Sequence, residues 1–192
     1  MTELILTLKN RCKAIPYIAQ KREDGTVDHG FRVLKGRPEE IPSIPEVRDS
    51  EALQYALAAI NEEQTAFFTV GCEKDLNQSP EGFWARGYLE FSFNNAAAAM
   101  ADHYFQLFFQ FNRHCWASRC DFPVQYHFEI EEADFQESGS RGFTTAVWMT
   151  TLCLPAAEAL AAWGQAARFL ADFLASIKQG PMPVIYGRPQ MV

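Results

Sequence analysis

Residues 82–93, GFWARGYLEFSF, place Phe83, Ala85, Leu89, Phe91 and Phe93 on one side and Trp84, Arg86, Tyr88, Glu90 and Ser92 on the other. A period of two is the signature of a strand covered on one face and wetted on the other. Residues 122–131 repeat the pattern, with Phe122, Val124, Tyr126, Phe128 and Ile130 set against Gln125, His127, Glu129 and Glu131. Two more apolar runs, 65–72 and 142–153, read as strands, each separated from its neighbour by the turn-rich DLNQSPEG or QESGS. Residues 3–35 also read as strands: ELILTLK alternates, and Asp24-Gly25 between two extended runs signals a hairpin.

Between these strands the period changes to that of a helix. The first helix starts at Asp49 or Ser50, either of which can cap free amide groups, and runs through EALQYALAAINEE. The third opens at Pro155 and stops at Gly180-Pro181. Its polar stripe (Glu158, Gln165, Arg168, Asp172) faces away from an apolar one that includes Leu160, Trp163, Leu170 and Phe173. The second helix, from after Asn94-Asn95 to about Trp116, is different. Its polar stripe, Asp102, Gln106, Gln110 and Arg113, covers only about 80°, leaving an apolar surplus at Phe105, Phe109 and Trp116. That surplus calls for flanking helices, a twin helix in a homodimer, or the wall of a ligand pocket.

The expected fold is α+β: two layers, an antiparallel sheet with helices on one face, in the order α-β-β-α-β-β-α, preceded by an N-terminal β-hairpin. Residues 1–36 form the hairpin module and 37–48, with three prolines, a linker or strap. Residues 49–178 form the main domain and 179–192 a tail in which VIYGRP could add an edge strand. Residues 66–118 and 126–178 are the same ββα unit in architecture without residue-level identity. This order of elements, and nothing beyond it, resembles that of the small acidic secretion chaperones.

Composition narrows the function more by exclusion than by motif. With 48% hydrophobic and 21% charged residues the chain has the balance of a globular domain. No apolar run is long enough to span a bilayer, and the start lacks the order of a secretory signal, so a cytoplasmic protein is expected. The net charge is −7, but residues 1–48 carry nine Lys/Arg against seven Asp/Glu while the remainder carries eight against seventeen. An acidic body repels phosphate backbones, so no nucleic acid is expected. The five cysteines are scattered and form no CxxC pair. His114-Cys115 with Cys120 matches no zinc spacing, and phosphate loops, GxSxG and HExxH are absent. His127, Glu129 and Glu131 stand in a row about 6.6 Å apart and do not converge on an ion. Neither metal nor cofactor is therefore expected.

These readings favour a non-catalytic protein-binding module, in an inhibitor, immunity or chaperone-like role. Its partner would meet the open sheet face through Trp84, Arg86, Tyr88, Glu90, His127, Glu129 and Glu131. The acidic segment 121–137, with six Asp/Glu and no Lys or Arg, would form part of that surface. Phe105, Phe109 and Trp116 would form a dimer interface. A second reading is a small-molecule binder or enzyme with its pocket between helix 95–116 and the sheet.

Overall fold

A computed structural model of the chain describes residues 2–21, 23, 25, 27–120 and 122–180. Its architecture is α+β. Among the described residues, seven strands, β1 (Glu3–Ile15), β2 (Gln20–Lys21), β3 (Val27–Asp28), β4 (Phe67–Ser79), β5 (Gly82–Phe93), β6 (Gln125–Phe135) and β7 (Ser140–Cys153), accompany three α-helices. These are α1 (Glu51–Ile60), α2 (Ala101–Ala117) and α3 (Ala156–Ser176). One five-stranded sheet has the order β1-β6-β7-β5-β4, and β2 with β3 makes a separate small hairpin. Asp24 of the expected turn and the VIYGRP tail lie outside the described residues.

Strands β4, β5, β7 and β6 pair antiparallel, as short links between long strands require. The first strand joins them differently, running parallel to β6 from Glu3↔Gln125 to Ile15↔Phe135, with a register shift between Leu8 and Cys12. The first 36 residues thus supply an edge strand of the main sheet as well as the hairpin.

The helices lie on one face of this sheet. Ser50 caps α1 by accepting from the Leu53 amide, as its residue type leads one to expect. The proline-rich strap forms two 3-10 turns, Pro38–Ser43 and Pro45–Val47, and buries Ile41, Ile44 and Val47. The central helix is α3, not α2. Its Trp163, Leu170 and Leu174 are buried in the main core, while Ala52 of α1 comes within 3.4 Å of the position a side chain on Gly164 would take. Small residues let two helices approach closely, and α3 carries more of them than α2.

The second helix also starts later than its sequence suggests. Asn95 closes a turn by accepting from the Ala97 amide, and the Ala98 and Ala99 amides donate to the Asn95 carbonyl. Ala99 is fully buried and its carbonyl accepts from Phe143 at 2.7 Å, tying this loop to β7 before the helix begins. The inner side of α2, with Tyr104, Leu107, Phe111 and Cys115, is buried, and Phe111 stacks against Tyr126, Phe128, Phe169 and Phe173. Among the described residues, no helix is long and apolar enough to cross a membrane.

Candidate functional site

The strand registers place all seven expected residues on the sheet face opposite the helices. Tyr88 pairs with Trp148 of β7, and Trp148 pairs with His127 of β6. Trp84, Arg86 and Glu90 follow by alternation along β5, and Glu129 and Glu131 along β6. This face is not wet from end to end, however. Glu90 and Glu131 are each only 3% exposed, a correction to the expectation that both stand in water.

Two features close that end. Beyond the cis Ile15-Pro16 bond, the chain crosses the face and packs Tyr17, Phe31 and Val33 against a second small core of Ile15, Phe68, Val70, Ala99, Ala133 and Phe135. The edge strand then supplies three bases in alternation. Lys9 pairs with Glu129, Arg11 with Glu131, and the Lys13 ammonium reaches both oxygens of Glu90 at 2.8 Å and Glu131 at 3.1 Å. Glu129 and Glu131 of β6 are therefore neutralised within the protein by the basic N-terminal strand. Buried carboxylates need such partners, since taking a bare charge out of water costs several kcal/mol.

The pKa directions follow this geometry. Burial pulls the Lys13 ammonium down, but Glu90 and Glu131 more than reverse it and leave it raised. Burial would raise Glu129, yet hydrogen bonds from Lys9 and Trp148 hold its carboxyl below the usual range. Burial, and then the nearby Glu90, push the Tyr17 and Tyr88 hydroxyls well up, keeping both protonated. Gly71 permits this crowding: a side chain there would meet the Tyr17 hydroxyl at 3.2 Å, the Tyr88 hydroxyl at 3.5 Å and the Glu90 carboxylate at 3.6 Å.

The opposite end of the same face is open. There Trp84, Arg86, Gln125, His127, Trp148 and Thr150 line a shallow groove of about 490 Å³. Its polar tips are held in place. The Trp84 indole donates to Ser79 at 3.0 Å, the Trp148 indole to Glu129 at 2.9 Å, and His127 is bonded to the Thr7 hydroxyl at 2.8 Å. The Arg86 guanidinium lies over the Trp148 ring at 4.6 Å, and the Tyr88 ring packs against Trp148 with centroids 4.7 Å apart. Asp75 is the cross-strand neighbour of Arg86, but among the described residues Arg86 forms no ion pair.

Trp148 joins the seven residues expected from the sequence, and the buried Val147 and Met149 on either side of it mark it by alternation. On the helix layer, Phe105 is half-buried against the main core, while Phe109 and Trp116 are 60% and 78% exposed. His114 stacks on Phe169 and Phe173, and Cys115 is buried with its thiol pushed up to about 12, chiefly by burial. A cavity of about 170 Å³ lies at the β4 edge among Tyr17, His29, Glu46, Cys72 and Tyr88. That is below the roughly 300–1,000 Å³ of common small-molecule pockets. Among the described residues, no group of three or more His, Cys, Asp or Glu could hold a metal ion. No protein-family model, curated protein or solved structure matches the chain.

Proposed function

We propose that this chain is a non-catalytic protein-recognition module whose partner docks on the Trp84–Arg86–Trp148 end of the open sheet face. The observation that carries this reading is the contrast between the two ends. At one end Glu90, Glu129 and Glu131 are matched by bases of β1; at the other, among the described residues, the stacked Arg86 guanidinium has ring support and no carboxylate partner. Trp, Tyr and Arg are the residue types that dominate interface energetics, and their indole N–H groups are already satisfied here, so little order is lost on binding.

A stacked guanidinium keeps its in-plane N–H donors for a carboxylate. The partner segment therefore presents Asp or Glu to Arg86 and an apolar side chain to the groove beside Trp84. An inhibitor, immunity or chaperone-like role fits a surface of this kind.

Selection of a random displayed peptide library on the full chain tests the reading. Enriched peptides should carry an acidic residue next to an aromatic or aliphatic one. Arg86→Glu should abolish their binding and shift a fresh selection toward basic peptides, and Trp84→Ala should weaken binding without lowering the melting temperature. Failure to enrich any motif, or binding unaltered by both substitutions, would overturn it.

A further inference from the structure

The outward side of α2 is a second surface, unrelated to the groove. Asp102, Gln106, Phe109, Arg113 and Trp116 are all exposed there. They recur at intervals of four, three, four and three residues, the spacing that keeps one seam turned toward a partner helix. Phe109 at 60% and Trp116 at 78% exposure leave large apolar rings in water, each forfeiting part of the roughly 2–3 kcal/mol that burial of such a side chain provides. On the same side of the sheet Leu8 of β1 is 55% exposed.

The ends of this seam differ in charge. Asp102 lies in the first turn of α2, Arg113 in its C-terminal third, and Arg119 just past its end. Read backwards, the stripe is therefore complementary to itself, which fits a copy of this helix better than a foreign one. We infer that α2 pairs antiparallel with the α2 of a second copy of this chain, across a two-fold axis passing near Phe109. Under that axis Phe109 meets its own counterpart, and Asp102 falls opposite Trp116 of the second copy. It then lies three residues, about 4.5 Å of helical rise, from Arg113 of that copy, with Arg119 just past the end of the same helix. Each charge contact occurs twice, as an isologous interface requires. Gln106 at a seam position favours one register over slipped alternatives.

Sedimentation equilibrium of the full chain tests the pairing. Wild type should reach twice the 21.8 kDa chain mass. Trp116→Glu and Phe109→Glu, at surface positions, should each weaken self-association by at least about tenfold while the far-ultraviolet circular dichroism stays unchanged. Asp102→Arg alone, and Arg113→Asp with Arg119→Asp alone, should both be largely monomeric. An equal mixture of these two variants should recover the dimer, because every charge contact is then matched. A monomeric wild type, a dimer indifferent to Trp116→Glu, or a mixture that stays monomeric would each overturn the inference.

Discussion

Replacing Lys13 by Met removes the ammonium that holds the closed end of the sheet face while keeping most of the side-chain volume. Three charge-assisted contacts go with it: two at 2.8 Å to Glu90 and one at 3.1 Å to Glu131. Glu131 keeps Arg11, but among the described residues Glu90 keeps only the Thr144 hydroxyl, at 2.9 Å. The Glu90 side chain is 4% exposed, so water cannot replace the lost partner. Breaking one half of a buried pair costs about 3–5 kcal/mol. Lys13 itself has 28% of its side chain in water, which places the cost at the low end, about 3 kcal/mol. For a chain of this length that lowers the melting temperature by about 6–12 °C.

Urea unfolding followed by far-ultraviolet circular dichroism measures the loss. A double-mutant cycle isolates the pair. Glu90→Gln leaves Lys13 with Glu131 and should cost about 1–2 kcal/mol. The double variant should then be more stable than the summed single losses by about 1–2 kcal/mol. The Lys13 contribution is complete at neutral pH: its folded pKa is raised, so it is lost only as pH climbs above the ordinary 10.5. A loss below about 1 kcal/mol, the range of exposed pairs, or strict additivity in the cycle would refute burial as the source of this coupling.

Two further outcomes follow from buried contacts elsewhere. Gly87→Ala would drive a methyl group to 2.8 Å from the Trp163 ring and 2.9 Å from the Lys74 Cα, with the Glu73 carbonyl closer still. A loss of about 3 kcal/mol or more is expected in thermal unfolding, and an unchanged melting temperature would contradict that packing. Lys35, 3% exposed, donates to the Glu62, Thr65 and Phe67 carbonyls and to the Thr65 hydroxyl, and burial pulls its ammonium down to about 7. Between pH 7 and 9 the unfolded chain holds this proton and the folded one releases it, so the Lys35 contribution to stability rises with pH. Lys35→Met should flatten the wild-type slope over that window by up to about 1.4 kcal/mol per pH unit, and parallel profiles would count against it.

Local alternation carried most of the fold into the sequence. The faces of β5 and β6, the Ser50 cap and the irregular proline strap follow from residue type and spacing within a few positions. The pairing of β1 with β6 does not, because it joins residues more than 110 positions apart and no local pattern specifies it. One signal was present nonetheless. Lys9-x-Arg11-x-Lys13 has the same period of two as His127-x-Glu129-x-Glu131, and opposite charges in matching alternation are what adjacent strands can pair. Read separately, the first looks like a basic strand end and the second like an acidic docking patch. The central place of α3 is similarly written in its alanines and Gly164, which admit α1 closely, although the larger rings of α2 make the stronger local pattern.

The two proposed surfaces occupy opposite layers of the molecule, and this makes them separable by experiment. The Trp84–Arg86–Trp148 groove belongs to the open face of the sheet, and the Asp102–Trp116 seam to the outer side of the helix layer. Between them lies a core of fully buried rings, including Phe111, Tyr126 and Phe128, whose packing neither set of surface substitutions touches. Arg86→Glu should thus leave self-association intact, and Trp116→Glu should leave peptide capture by a single copy intact. If both surfaces act, pairing through α2 turns the two grooves outward on opposite sides of the dimer. A partner carrying two acidic segments would then bind the dimer more tightly than the monomer through effective concentration alone, with no added contact. Trp116→Glu would remove that gain for a bivalent peptide while leaving the affinity for a monovalent one unchanged.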